Sequence, residues 1–330
     1  MIVSILIASL LGLIAGGIVN MLADDLPFTL RVRLPHYPDS RPAMPESPPE
    51  PPEVRVEGTE PGEVEKVAEV ESPIEPDREN ETGAPGAAGE SEMVYVLDGP
   101  PRPAVAWLGI TAFLAGKRVG PGDRKLSWRH PVVEIALALV FAYIVLIPDK
   151  TLLTRAFWAG CIAILVLITV IDLEHRLILF SVIIPGCIYS LAGAALVNRD
   201  ISDQIGFRDY VIGGLIGFGL FTILFVGGLL FSWLVAASRG EPLDEVAFGW
   251  GDVMLATLSG FMLGWQALIF AVFIAVFAGA IGALVYLVAR FVTGGKYDPF
   301  AALPYGQYIV LGTLIMMLWR EPVVHFLQGR

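Results

Sequence analysis

The chain has 330 residues, of which 55% are hydrophobic, and its mean hydropathy is +0.66. This composition excludes an ordinary soluble domain and is typical of a protein that crosses a membrane several times. The formal net charge of −11 is uneven, because residues 36–92 hold sixteen Asp and Glu against four Lys and Arg. The rest of the chain is almost neutral, and we expect no nucleic acid among its partners.

Residues 1–22 form an apolar run that is long enough to cross a bilayer. The run lacks the basic start and the small-residue cleavage site of a signal peptide, so it predicts a first transmembrane helix. Gly12 and Gly16 are four residues apart, a spacing that allows close packing against another helix. Asn20 has two interpretations, an interhelical hydrogen bond or part of the lining of a site.

Residues 23–130 are predicted to form one large cytosolic loop. Within it, residues 36–92 hold eleven of the 24 prolines and few aromatic residues, which predicts a disordered, acidic, Pro-rich insert. Residues 94–130 contain apolar positions again and predict a small piece that is folded or lies on the membrane.

Residues 131–330 are predicted to form a membrane core of seven further helices. The fold class expected is therefore an all-α polytopic membrane protein with about eight transmembrane helices. Lys and Arg in the connections favour an N-terminus outside and the large loop in the cytosol. The seven runs are Pro131–Ile147, Ala156–Ile171, Leu177–Val197, Tyr210–Val235, Val253–Gly264, Ala267–Phe291 and Tyr305–Trp319.

Two carboxylates are predicted at the same membrane face. Asp252 follows Gly249 and Gly251, where a polar connection leads into the apolar run Val253–Gly264. Asp172 directly follows the apolar run Ala156–Ile171. An acid at a membrane edge is costly unless it has a function. Two acids that lie close together can share a proton, so one can activate water while the other polarises a peptide carbonyl. Glycines beside Asp252 would let a substrate backbone approach.

Each acid also has a structural interpretation. Asp172 could be an interfacial charge paired with His175 or Arg176, or a cap before the next helix. Asp252 could be an N-cap, accepting a backbone N–H at the start of its own helix. Their shared membrane face favours a catalytic pair over two separate structural roles.

Several stretches resemble the type IV prepilin leader peptidases, which are membrane aspartyl proteases with a G-x-G-D motif. Residues Gly249 to Asp252 resemble the family's G-x-G-D motif, and residues Ile171 to His175 resemble its first catalytic motif. The order and spacing of the motifs make this resemblance specific, and it covers most of the chain outside residues 36–92. The other similar stretches are Gly12 to Asn20 with Leu26-Pro27, Ser127 to Glu134, and Pro299 to Gly306.

The resemblance implies Asp172 and Asp252 as the catalytic pair, acting on prepilins or pseudopilins at the cytosolic face of the inner membrane. It also implies a possible N-methylation that uses S-adenosylmethionine, whereas proteolysis itself needs no cofactor. The chain departs from the family in two places. Ile178-Leu179-Phe180 stands where the family often has Ile-Pro-Asp, and the two zinc-binding C-x-x-C pairs are missing. We therefore expect no zinc.

Other residues could line the site or contact the substrate, although each also has a simpler structural interpretation. These candidates are Asn20, Glu134, Lys296, Pro304 and Gly306, together with Gly249 and Gly251. Two other functions are open on sequence grounds. One is a catalytically silent membrane protein that binds pilin-type helices for assembly, and the other is a transporter that uses the acids as a proton relay.

Overall fold

The computed structural model describes residues 1–28, 32–37, 99–121, 125–197, 206–239, 249–293 and 305–327. These residues belong to one compact unit, which is built from residues 1–38 and 99–330. Throughout the described ranges the regular structure is helical, and the extended contacts are two isolated bridges. The prediction of an all-α protein is confirmed. The predicted insert at residues 36–92 lies outside the described residues, apart from His36 and Tyr37.

Ten α-helices follow one another along the described chain, with a short 3-10 turn at Ala104–Ala106 before the second. The helices are α1 Ile2–Asp25, α2 Gly109–Leu114, α3 Arg129–Leu146, α4 Leu152–His175, α5 Phe180–Val197, α6 Phe207–Arg239, α7 Trp250–Leu263, α8 Trp265–Thr293, α9 Gly306–Leu318 and α10 Arg320–Leu327.

Six of these helices are long and apolar enough to cross a membrane: α1, α3, α4, α5, α6 and α8. A seventh span is possible if α9 and α10 are taken as one, but these helices meet at an angle of 97°. Helix α7 is apolar and has 14 residues, which is short for a span. A multi-pass membrane protein is therefore supported, while the count of eight spans stays a prediction.

Helix α1 packs closely on α3, as the spacing of its glycines predicts. A Cβ at Gly12 would lie 2.5 Å from the carbonyl oxygen of Leu137, and one at Gly16 would lie 2.5 Å from Cα of Glu134. Only glycine allows backbones to approach this closely. The contact fixes the first helix against the start of the membrane core.

Helix α7 lies in the interior of the bundle and packs against α5, α6, α8 and α9. Its side chains at Leu255, Ala256 and Leu258 are fully buried, as are Leu165 and Ile171 of α4. The ends of the helices have clear local causes. The Thr151 hydroxyl caps the start of α4, and α4 ends where Arg176 adopts a left-handed backbone with φ 53°. These features set where α4 begins and ends.

The part of the first loop that the structure describes folds onto α1 and α3. Its chain segments on either side of residues 38–98 are joined by backbone hydrogen bonds. The Tyr37 amide donates to the Pro100 carbonyl oxygen at 3.1 Å, and the Arg102 amide donates to the Pro35 carbonyl oxygen at 2.9 Å. Tyr37 is buried with Ala106, Ala112 and Leu126 in a small apolar cluster. The segment predicted as a small folded piece therefore has its own core.

Candidate active site

Asp172 lies in the last turn of α4 and is buried, with 9% of its surface exposed. Its backbone carbonyl oxygen accepts a hydrogen bond from the Arg176 amide at 2.8 Å. The helix closes through this bond, which belongs to the backbone and leaves the carboxylate to face the neighbouring helices. Helix α4 therefore ends without a hydrogen bond from the Asp172 side chain.

Asp252 lies in the first turn of α7, three residues after the N-cap residue Gly249. Its Oδ2 accepts a hydrogen bond from the Gly249 amide at 3.3 Å, and the Asp252 amide donates to the Gly249 carbonyl oxygen at 3.1 Å. A carboxylate here satisfies one amide that the helix leaves free and also benefits from the positive end of the helix dipole. Asp252 thus supports the helix start with one oxygen.

The two carboxylates meet at Gly306, the first residue of α9. The position that a Cβ would take at residue 306 lies 3.3 Å from Oδ1 of Asp252 and 3.4 Å from Oδ2 of Asp172. These two oxygens can be no farther apart than the sum of the two distances. Three helix ends, from α4, α7 and α9, therefore bring two acids to one point. Because residue 306 is glycine, it places no side chain of its own at that point.

Ile178, in the connection between α4 and α5, covers the same point with apolar atoms. Its Cβ lies 2.8 Å from where a Cβ at Gly251 would be, and its Cδ1 lies 3.4 Å from the corresponding position at Gly306. The side chain is half-buried. Ile178 thus packs between the glycine motif of α7 and the first residue of α9, next to both carboxylates.

Trp250 and Tyr305 flank the acids. The Trp250 ring makes edge-on contacts with Phe218 and Phe225 of α6, with ring centroids 6.2 and 5.4 Å apart. Tyr305 precedes α9, with its ring 6.2 Å from that of Tyr308, and its phenol can act as a hydrogen-bond donor.

The other candidate residues fall into two groups. Asn20 and Glu134 are buried where α1, α2 and α3 meet: the Asn20 side-chain amide donates to the His130 carbonyl oxygen at 3.0 Å. The two Glu134 oxygens accept from the amides of Gly109 at 2.6 Å and Ile110 at 2.9 Å. These hydrogen bonds join the first loop and the start of α3 to the neighbouring helices. Lys296 and Pro304 lie outside the described residues.

A network of charges between α1, α3 and α4 has no signal in the sequence. Arg129 donates to Asp24 and to Glu174, and Arg102 donates to Asp24 at 3.2 Å. His130 Nε2 also lies 3.2 Å from the Asp24 carboxylate. The members are far apart in sequence and follow no periodic pattern, so only the folded chain reveals them.

The described ranges contain no group of three or more His, Cys, Asp or Glu side chains placed to hold a metal ion. Cys161 is buried in α4, Cys187 is half-buried in α5, and both are free thiols. What the site does offer is a pair of carboxyl groups. Two carboxyl groups brought to one point can act together when one is protonated and donates a hydrogen bond while the other, ionised, accepts a proton.

Residues 159–284, which include both acids, match the model of the type IV leader peptidase family. Over these residues the chain is similar to that family. Similar curated proteins include two prepilin leader peptidase/N-methyltransferases, at 25–27% identity. The protein from Myxococcus xanthus is 27% identical over 213 residues, which cover 62% of this chain and 55% of the relative. The protein from Aeromonas salmonicida is 25% identical over 226 residues, 68% of each chain.

A third relative of the same name, from Legionella pneumophila, is 27% identical over 207 residues, 63% of this chain and 64% of the relative. The chain spans about half the length of the Myxococcus xanthus protein. No solved structure matches the chain at a significant level. The family resemblance seen in the motifs is thus confirmed by the comparisons, with both acids inside the matched residues.

Proposed function

We propose that this protein is a membrane aspartyl endopeptidase that cleaves the leader peptide of type IV prepilins or pseudopilins. One observation carries the proposal: the carboxylates of Asp172 and Asp252 lie within contact distance of a single point at Gly306. The family and the names of the relatives support the same activity and the same class of substrate.

The chemistry follows from what a pair of carboxyl groups can do. The ionised carboxylate takes a proton from a water molecule as the water oxygen attacks the carbonyl carbon of the scissile peptide. The protonated partner donates a hydrogen bond to the carbonyl oxygen, where negative charge develops. A proton is then delivered to the leaving amine as the C–N bond breaks. Gly306 supports this role, because a side chain there would occupy the space beside both acids.

We place the reaction at the cytosolic face of the inner membrane. This placement is supported by the distribution of Lys and Arg, which favours a cytosolic position for the large loop. With that orientation the end of α4, the start of α7 and the start of α9 all lie on the cytosolic side. Prepilin or pseudopilin precursors and the lipid bilayer are the proposed partners.

The test is cleavage of a purified prepilin by the full chain in detergent or nanodiscs. We expect Asp172→Asn and Asp252→Asn each to lower the rate to less than about one thousandth of wild type. The double variant should lose no more than either single variant, because the two acids act as a unit. Asp209→Asn is the matched control, since Asp209 bonds the Gly206 amide and the Trp265 indole at the start of α6.

Full cleavage by either acid variant would contradict the proposal. Binding of the prepilin by wild-type protein without any cleavage would favour the silent assembly protein instead. A flux of protons across liposomes that needs both acids would favour the transporter. Since cleavage, binding and flux are separate measurements on one preparation, the three functions are distinguishable.

A second step, methylation of the new N-terminus with S-adenosylmethionine, is proposed only from the names of the relatives. A depression beside α1, lined by Gly17, Met21 and Trp107, holds one buried cation, Arg102. Its guanidinium already donates hydrogen bonds to Asp24 and to the His36 carbonyl oxygen, so these bonds would compete with the carboxylate of S-adenosylmethionine. We therefore assign the methyl donor to no residue there. Transfer of a labelled methyl group to cleaved pilin tests the step.

A further inference from the structure

One arginine connects the start of α3 to the ends of α1 and α4. Arg129 donates through Nη1 to Oε2 of Glu174 and through Nη2 to Oδ1 of Asp24. We call Asp24, Arg129 and Glu174 the charge bridge. The side chains of Arg129 and Asp24 are 13% and 11% exposed, and that of Glu174 is 36% exposed. The bridge therefore runs from the protein interior to its surface.

The inner end of the charge bridge is held by other groups. Oδ2 of Asp24 accepts a hydrogen bond from Arg102 at 3.2 Å and lies 3.2 Å from Nε2 of His130. Burial lowers the pKa of Arg102, while the Asp24 charge raises it. Buried charges are tolerated when each has a partner and further hydrogen bonds. The carboxylate of Asp24 thus faces the guanidinium groups of both Arg102 and Arg129, and these contacts fix the inner end.

The outer end of the charge bridge reaches the helix turn that carries Asp172. Glu174 is two residues after Asp172 and precedes Arg176, where α4 ends. The last turn of a helix is held less firmly than its interior, because its final carbonyl groups lack partners within the helix. The bond between Arg129 and Glu174 holds this turn against α3, in addition to the backbone hydrogen bond from Arg176 that closes the helix.

We propose that Arg129 is a positioning residue for Asp172: by holding Glu174, it fixes the last turn of α4 and thus the direction of the catalytic carboxylate. The inference rests on the proposed function, because it gives Arg129 a role in that reaction. Arg129 touches no reacting atom. It acts through Glu174, and its other hydrogen bond, to Asp24, ties that turn to the end of α1.

The expected effect is on the rate of the chemical step. A displacement of about 1 Å in a reacting group can cost about 100-fold in rate. We expect Glu174→Gln and Arg129→Gln to lower kcat for prepilin cleavage by about 10- to 100-fold, with KM changed by less than about 3-fold. Arg129→Lys should recover part of the loss, because one ammonium can still reach one of the two carboxylates.

Two readouts separate positioning from general stability. If Arg129 acts through Glu174, the double variant Arg129→Gln/Glu174→Gln should be no slower than the slower single variant. Hydrogen–deuterium exchange should rise in the last turn of α4 in both variants. Arg320→Gln is the control, because Arg320 donates to the Gln266 side chain at 3.3 Å on the protein surface. It should leave kcat and exchange in α4 as in wild type.

Glu174→Gln keeps the inference testable if Arg129→Gln fails to fold, because Glu174 is the exposed end of the charge bridge. Wild-type kcat in folded Glu174→Gln would overturn the inference, as would losses that multiply in the double variant. Asp172→Asn, measured alongside, separates the two proposals. If Asp172→Asn still cleaves, the proposed function fails; if it is inactive while Glu174→Gln is fully active, only the positioning role fails.

Discussion

Gly251 packs directly against Ile178, with 2.8 Å between the Ile178 Cβ and the position of a Cβ at residue 251. The contact joins the helix that carries Asp252 to the connection that follows Asp172. A methyl group does not fit there without moving one of the two segments. The G-x-G-D motif therefore has a packing reason for its second glycine, in addition to any contact with substrate.

Gly251→Ala should lower prepilin cleavage strongly, because relieving the clash moves Asp252 or Ile178. Overpacking of this kind costs about 1–3 kcal/mol of stability. Gly249→Ala is the matched variant: its Cβ would lie 3.9 Å from the Asp252 carboxylate, an ordinary contact, at a backbone φ of −85° that alanine adopts readily. Rates and melting temperatures of the two variants in detergent check the prediction. Equal losses in both would show that the contact with Ile178 does not matter.

Gly306→Ala should affect catalysis more than folding. The added methyl group would lie 3.3 and 3.4 Å from the two carboxylates, tight but without backbone overlap. It would occupy the space between the acids, and we expect cleavage to fall by about 100-fold or more. Gly219→Ala is the control, because a Cβ there meets nothing within 4 Å. The prediction is checked by comparing kcat with the melting temperature; a large drop in melting temperature at unchanged kcat would contradict it.

Gly12→Ala should destabilise the contact between α1 and α3. Its Cβ would lie 2.5 Å from the Leu137 carbonyl oxygen and 2.6 Å from Cα of Ala138, so the two backbones must separate. We expect a loss of about 1–3 kcal/mol of stability, measured by thermal unfolding in detergent. Gly227→Ala, which adds a methyl group into open space on α6, should unfold at the wild-type temperature. A shared melting temperature for both variants would argue against close packing of α1 on α3.

Glu134→Gln should loosen the first loop. The two carboxylate oxygens accept from the amides of Gly109 and Ile110 at the start of α2, and glutamine offers only one oxygen. A hydrogen bond to a charged group contributes about 1.5–3 kcal/mol, so this is the expected loss of stability. Limited proteolysis of the loop and thermal unfolding measure it. Glu321→Gln at the exposed start of α10 is the control, and a fall in kcat without loss of stability would indicate a role in the site instead.

Much of this architecture could be predicted from the sequence, because the apolar runs are long and separated by polar connections. Each of the eight predicted runs overlaps a helix, and α7 was expected at Val253–Gly264 and occurs at Trp250–Leu263. Placing Asp172 and Asp252 on one face needed only the count of runs between them. The meeting of both acids at Gly306 follows from the packing of three helix ends, which hydropathy does not encode.

The charge bridge could not be predicted, for a different physical reason. Asp24 and Arg129 are 105 residues apart, and Arg129 and Glu174 are 45 residues apart. Charges in polar connections are usually solvated, so nothing local marks these three as partners. The same holds for Ile178. In the sequence it precedes the departure from the family pattern at Leu179 and Phe180, whereas in the structure it packs against Gly251 and lies beside the acids.

The backbone bonds that join Tyr37 to Pro100 and Pro35 to Arg102 have a practical consequence for engineering this protein. These hydrogen bonds hold Tyr37 and Pro100 next to each other, so the chain leaves the folded part of the loop and returns to it at neighbouring positions. The entropy of closing a loop grows slowly, by about 0.6 kcal/mol for each doubling of its length. We therefore expect that a fluorescent reporter or an affinity module can replace residues 39–98 while Tyr37, Pro100 and Arg102 keep their backbone hydrogen bonds.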